Sequence, residues 1–305
     1  MTKTALSFYL DDTNPYDAPP EAFKTFLDFV SSEGVRGESS IILGFEADRY
    51  GLLSRPTTEE QRSFIQQLRR AFDCGIDGHM ELMTHGPLFD FDSGSVPVDA
   101  IHEGLWLHEP SVSVDAYESY FQHIAEEAER IGLAFTGVTW PGCDCQRCQQ
   151  RHAELRRGGS SGVNSNVGAA LVNVARRGGF QGRTVPCFTF SSPREKPRLM
   201  AGDDLHSVWD LMPNAGDMLG SYTNSRELAS ADYYVTADGS AGRIVELVQA
   251  GERYCLFYAH WQGLNPANGA GWTAFTQVVR RVNTHLRDQI VWVRPSEYTE
   301  RLHSS

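Results

Sequence analysis

Short apolar segments alternate with longer amphipathic segments along the whole chain. Ala5–Leu10 has the length and apolar character of a buried strand, and Pro20–Ser32 carries Phe23, Phe26 and Val30 at helical spacing. Further strands are predicted near Gly75 and at Ser40–Phe45, Leu133–Thr139, Thr184–Phe190, Asp232–Thr236, Tyr254–Ala259 and Ile290–Val293. Further helices are predicted at Thr57–Phe72, Ser113–Ile131, Gly168–Arg177, Ala241–Ala250 and Trp272–Leu286.

This alternation determines the expected fold class. Strands separated by helices imply a parallel sheet with right-handed crossovers, and about seven such units fit into 305 residues. We therefore expect an α/β protein with a distorted (β/α) barrel of about seven strands, formed by residues 1–305 as a single domain. The Gly, Ser and Asn tract at 156–166 is expected to be a flexible surface loop inside that domain.

The charge and hydropathy of the chain narrow the classes of partner. A formal charge of -12 would repel a phosphate backbone, so no nucleic acid partner is expected. No apolar run has the length of a signal peptide core or a membrane span, so we expect no membrane partner and a cytoplasmic location. The sequence does not decide the oligomeric state, and a homo-oligomer is compatible with it.

The stretch GHMELMTHGP concentrates possible metal ligands between two glycines. Glu81 and His85 are four residues apart, which places them on one face of a helical turn. His79 and Glu81 are two apart, which places them on one face of a strand. Either geometry lets two side chains converge on one cation, and a further ligand must then come from elsewhere in the chain.

Other polar groups follow predicted strands. Asp11 and Asp12 come after the first strand, Trp140 follows Thr139, and His260 ends the segment YCLFYA. Because chemistry in a (β/α) barrel lies where the strands end, these groups and the histidine-rich stretch are expected to meet at the C-terminal mouth.

At this point the sequence resembles the NodB-homology polysaccharide deacetylases, which are metal-dependent enzymes on a distorted (β/α) barrel. The resemblance rests on FYLDDTNP, ELMTHG, TWPG and LFYAH, which occur in the family's order. It implies that Asp11 is the general base, that Asp12, Glu81 and His85 hold a divalent metal, and that His260 protonates the leaving group. The implied substrate is an acetylated carbohydrate, and the implied metal is zinc, with cobalt, nickel or manganese as alternatives.

Two departures from the family pattern mark the chain as a divergent member. Glu81 stands where the family usually has histidine, which makes His79 an alternative ligand, and TWPG lacks the family's arginine that steadies the catalytic aspartate. The residues expected to contact the sugar are Trp140, Pro141, Trp261 and His108. The tryptophans have a second interpretation, in which they only fill core space.

A separate cluster of soft ligands lies in CDCQRCQQRH, which contains Cys143, Cys145, Cys148 and His152. The residue types suit a structural zinc, although the spacing is not that of a standard zinc finger. Reduced thiols at the start of a helix, or one disulfide in an exported protein, are the alternatives.

The expected function is therefore a hydrolase that removes N- or O-acetyl groups from a carbohydrate with metal-activated water. One alternative is a glycoside hydrolase on a similar barrel, with its carboxylate pair drawn from Asp11, Glu46, Glu81 and Glu109. The other is a catalytically inactive sugar-binding barrel.

Overall fold

The computed structural model describes residues 3–44, 58–81, 105–140, 164–188, 196–216 and 230–304, together with residues 56 and 150. The strands are β1 (Thr4–Thr13), β2 (Gly37–Ile42), β3 (Ile76–Glu81), β4 (Gly137–Thr139), β5 (Thr184–Phe188), β6 (Arg198–Gly202), β7 (Ser207–Asp210), β8 (Tyr254–His260) and β9 (Ile290–Trp292). The helices are α1 (Pro20–Glu33), α2 (Glu59–Asp73), α3 (Val114–Arg130), α4 (Ser165–Arg176), α5 (Ala231–Tyr234), α6 (Arg243–Gln249), α7 (Trp261–Leu264), α8 (Ala270–His285) and α9 (Pro295–His303).

The strands form a curled sheet in the order β6-β7-β5-β4-β3-β2-β1-β8, and β9 pairs with the first residues of β1. All described strands except β6 run parallel, and β6 pairs antiparallel with β7. The segment after β7 reaches back to β8, because Gly216 forms a parallel bridge with Phe257. The expected distorted (β/α) barrel is therefore confirmed.

Side chains on the strands alternate between two environments. On β1, Leu6, Phe8 and Leu10 join the large apolar core between the sheet and the helices. Tyr9 points to the other side and belongs to a smaller cluster inside the barrel. Successive side chains of a strand point to opposite faces, so every second residue lies in the barrel interior. These interior residues include both apolar and ionisable side chains. The interior is thus far more polar than the layer beneath the helices.

Most of the predicted elements are present, but several limits differ. The predicted strand at Asp232–Thr236 is wrong, because residues 231–234 form the short helix α5. Strands β6 and β7 and helix α9 were not predicted. The predicted loop at 156–166 ends earlier than expected, since Asn164 caps α4 through its side chain and the helix begins at Ser165. Residues 156–163 lie outside the described part.

Helix α9 lies across the amino-terminal ends of the barrel strands. Asp77 accepts hydrogen bonds from the Ser296 backbone N–H (2.9 Å) and hydroxyl (3.0 Å), so it caps the first turn of α9. Tyr298 stacks on Tyr254 with ring centroids 4.4 Å apart.

None of the helices in the described part of the chain has both the length and the apolar character that a membrane span requires.

We predict that Asp77 makes stability depend on pH. Burial raises the pKa of Asp77 from 3.8 to about 6, although the bonds from Ser296 oppose the shift. The folded protein therefore holds a proton that the unfolded chain releases, and the free energy of unfolding falls as the pH rises from about 4 to above 6.

Chemical unfolding of wild type and Asp77→Asn across this range tests the effect. The variant keeps the size of the side chain and an acceptor for Ser296, and it should lose less stability than wild type over the same interval. Parallel pH profiles for the two proteins would contradict the prediction.

Candidate functional site

The candidate site lies where β1, β3 and β8 end. Asp11 and Asp12 are near the carboxyl end of β1, Glu81 is the last residue of β3, and His260 is the last residue of β8. The register of β1 and β8 pairs Asp11 directly with His260. Parallel strands place their carboxyl ends at one edge, so residues distant in sequence meet there.

Three carboxylates converge at this edge. Asp11, Asp12 and Glu81 each offer an oxygen, and these oxygens lie within 4.8 Å of one another. Their side chains belong to residues that are only 3, 2 and 1% exposed. Carboxylates so close together in a buried space repel one another, and a bound cation removes that repulsion. The oxygen-rich donor set therefore fits a divalent metal.

An irregularity in β1 directs the backbone of Asp12 into the site. The pairing of β1 with β2 shifts between Leu10 and Thr13, and Asp12 has φ of 58°, a left-handed conformation. Its N–H then lies 3.1 Å from both Ser40 Oγ and Glu81 Oε2. Backbone strain of this kind concentrates at functional sites, and aspartate tolerates it better than most residues.

The Ser40 hydroxyl joins two of the carboxylates. Its oxygen is 2.8 Å from Asp11 Oδ1 and 2.6 Å from Glu81 Oε2. A hydroxyl has one proton and donates to one of these oxygens at a time. Ser40 therefore fixes the spacing between Asp11 and Glu81, and it leaves one short oxygen–oxygen contact that a proton or a cation must relieve.

Asp11 has the environment of a group that can take up a proton. Burial, and then the negative charge of Asp12, raise the pKa of Asp11 from 3.8 to about 6, while His260 acts in the opposite direction. His260 Nε2 is 3.4 Å from Asp11 Oδ2. A carboxylate of this basicity beside an imidazole is a suitable arrangement for proton transfer.

His79 lies one layer deeper in the barrel than Glu81. It shares the inner face of β3 with Glu81, as the spacing of two on a strand predicts, whereas residues 82–85, which would form the helical turn with His85, lie outside the described part. Its Nδ1 is 3.5 Å from Glu38 Oε2, and its ring stacks on Phe188. Burial lowers the pKa of His79 to about 3 and raises that of Glu38. A metal-binding role for His79 remains a prediction.

A second group of polar contacts surrounds Asp12 at the outer side of the site. Gln262 Nε2 lies 3.2 Å from Asp12 Oδ2 and 2.9 Å from Asp17 Oδ2. Asn14 donates to the Asp12 carbonyl oxygen at 2.8 Å. Sequence reasoning missed Gln262, Ser40 and Tyr9. The spacing of two between Tyr9 and Asp11 was the one available signal for a shared face.

The two tryptophans proposed as sugar contacts lie in the apolar core. Trp140 and Trp261 are 2 and 1% exposed, and Trp261 makes an edge contact with Phe23. The core-filling interpretation therefore describes both residues. The other predicted site residues lie outside the described part: His85, Pro141, Cys143, Cys145, Cys148, His152 and the side chain of His108.

We predict that mutation can separate the effect of the backbone conformation at residue 12 on stability from the effect of the Asp12 carboxylate. Asp12→Asn tolerates the left-handed conformation and removes one of three mutually repelling charges, so without metal it should unfold at a denaturant concentration no lower than that of wild type. Asp12→Val should lose roughly 1–2 kcal/mol more, because a branched side chain crowds the backbone there. Equal losses for the two variants in chemical unfolding would contradict this reasoning.

The similarities to known proteins concern the fold. No family model and no curated protein sequence matches the chain. Among solved structures, a GH57-type branching enzyme from Pyrococcus horikoshii is similar with a TM-score of 0.53 and 11% identity, over 99% of this chain and 71% of that one. A 4-alpha-glucanotransferase from Thermococcus litoralis gives 0.51 and 10%, over 98% of this chain and 40% of that one.

A provisionally assigned polysaccharide deacetylase from Mycobacterium smegmatis gives a TM-score of 0.49 and 13% identity, over 99% of this chain and 91% of that one. At these identities, structural likeness concerns the fold and not the chemistry. The chain thus has a barrel of the kind found in the branching enzyme and the glucanotransferase.

Proposed function

We propose that this protein is a metal-dependent hydrolase that removes acetyl groups from a carbohydrate. The observation that carries the proposal is the buried convergence of Asp11, Asp12 and Glu81 within 4.8 Å, with His260 beside Asp11. The motif resemblance to NodB-homology deacetylases supplies the substrate class. The substrate-contact roles of Pro141 and His108 belong to the same proposal.

The metal ligands in this proposal are Asp12, Glu81 and His85, with zinc as the expected ion and cobalt, nickel or manganese as alternatives. When bound, such an ion lowers the pKa of water and polarises the acetyl carbonyl. The hydrogen bond from the Asp12 backbone N–H to Glu81 Oε2 supports this pair of ligands, because it holds the Glu81 carboxylate beside residue 12.

The two remaining groups handle protons. Asp11 removes a proton from the water that attacks the acetyl carbon, and its raised pKa suits that task near neutral pH. The C–N or C–O bond then breaks, and His260 gives a proton to the departing amine or alkoxide. The products are acetic acid, which ionises to acetate, and the deacetylated sugar. The proton that Asp11 takes up offsets the one that His260 gives away, so atoms and charge balance.

A glycoside hydrolase is the second candidate, because two solved structures with a similar fold are named as a 4-alpha-glucanotransferase and a GH57-type branching enzyme, at TM-scores of 0.51 and 0.53. Of its possible carboxylates, Asp11 and Glu81 are close enough for a retaining pair. The Ser40 hydroxyl contacts one oxygen of each, however, so a protein group already joins these two carboxylates. This contact favours the deacetylase.

The first test is the product that the enzyme releases. With partly acetylated chito-oligosaccharides and acetylxylan as substrates, we expect acetate release that stops on chelation and returns with zinc. Reducing-sugar release that is insensitive to the chelator would support the glycoside hydrolase. Sugar binding without any product would support the inactive barrel.

The second test separates the metal ligands from the base. His85→Ala should lose bound metal, whereas Asp11→Asn should keep the metal and lose at least about 100-fold in kcat. Asp77→Asn is the matched control, because Asp77 is a buried carboxylate at the opposite end of the barrel. Full activity in both site variants would make the assignment wrong.

The cysteine cluster can be tested separately by elemental analysis. If Cys143, Cys145, Cys148 and His152 hold a structural zinc, wild type should contain about two metal ions per chain and a variant with serine at the three cysteine positions about one. Equal metal content in the two proteins would show that the cluster holds no zinc.

A further inference from the structure

The two oxygens of the Asp11 carboxylate have different partners. Tyr9 donates its phenolic hydrogen to Asp11 Oδ1, and Ser40 Oγ lies 2.8 Å from the same oxygen. His260 faces the other oxygen, Oδ2, at 3.4 Å. Among the described residues, the hydroxyl groups of Tyr9 and Ser40 therefore contact Oδ1, and the imidazole of His260 contacts Oδ2.

We propose that Tyr9 is a positioning residue that holds Asp11 through Oδ1 and thereby makes Oδ2 the oxygen that accepts the proton. This inference rests on the proposed function, in which Asp11 is the general base. It goes further by assigning the reacting oxygen and by naming a residue within the barrel interior that orients it.

The register of the sheet explains why Tyr9 can serve this purpose. Tyr9 and Asp11 share the inner face of β1, and β8 pairs Tyr258 with Tyr9 and His260 with Asp11. These four side chains therefore form two neighbouring rungs of one strand pair. The orientation of the base is built into the barrel wall, two residues below the mouth.

Packing holds the Tyr9 ring in place. The ring stacks on Phe188 with centroids 4.7 Å apart and planes 12° apart, and on Tyr258 with centroids 5.7 Å apart. Tyr9 is fully buried. Burial also raises the pKa of the phenol, so the group stays protonated and remains a donor. A side chain fixed by two ring contacts can direct its hydrogen bond to one atom.

A phenol suits a base better than a cation would. A guanidinium beside Asp11 would lower the pKa of the carboxylate strongly and weaken its ability to take up a proton. A neutral hydroxyl donor fixes the geometry with a smaller effect on basicity. Tyr9 thus orients Asp11 without placing a further charge beside it.

The decisive variant is Tyr9→Phe, which removes one oxygen and keeps the stacked ring. Tyr254→Phe is its matched control, because Tyr254 is also a buried tyrosine of the barrel interior and its hydroxyl has no hydrogen-bond partner in the described part of the chain. We expect Tyr9→Phe to lower kcat by about 10- to 100-fold, with KM and metal content unchanged. Tyr254→Phe should leave all three unchanged.

Crystal structures of wild type and Tyr9→Phe give a readout that does not depend on turnover. The Asp11 carboxylate should rotate or adopt two orientations in the variant, while the backbone of β1 stays in place. An unchanged carboxylate would overturn the proposal. So would a parallel loss of kcat, metal content and thermal stability, because that pattern indicates a structural role alone.

Failure of the proposed function has a different signature. If wild type releases no acetate under any metal condition, the deacetylase assignment is wrong. The orientation of Asp11 in the two crystal structures then still decides whether Tyr9 positions that carboxylate.

Discussion

The mutual repulsion of carboxylates buried at the end of the barrel is the constraint on which the rest of this site depends. Asp11, Asp12 and Glu81 bring their oxygens within 4.8 Å of one another with almost no exposure to water. Such a group is costly unless a proton or a cation balances it. The fold keeps the cluster nonetheless, and the divalent cation proposed above would give it a physical reason.

The backbone of β1 is shaped around this cluster. The irregularity after Leu10 turns Asp12 into the left-handed region, so that one residue presents both a carboxylate and a backbone donor to the same space. Ser40 then spaces Asp11 from Glu81, and Tyr9 supports Asp11 from below. Strain at Asp12 and close packing at Tyr9 belong to one arrangement, because each fixes the position of an acidic group.

Polar groups continue below the site, which distinguishes this barrel from one filled by apolar layers. The Glu38 carboxylate and the His79 ring make no hydrogen bond within the described part of the chain, although both are fully buried. Burial favours the neutral form of each, as their shifted pKa values indicate. Neutral partners below Asp11 and Glu81 add little charge to an interior that is already acidic.

The sequence by itself determined the barrel and four of the side chains that meet at its mouth. Strong periodicity located β1, α3 and β8, and the polar residues after the strands identified Asp11, Asp12 and Glu81 together with His260. The sequence could not determine the conformation of residues 231–234, because their aromatic and branched side chains suit either a strand or a short helix. It also did not indicate the short strands β6 and β7. The contributions of Tyr9 and Ser40 were decided by the tertiary structure alone. Strand register and the inward face of each strand bring these hydroxyls to Asp11, and register depends on pairing between segments that are far apart in the chain.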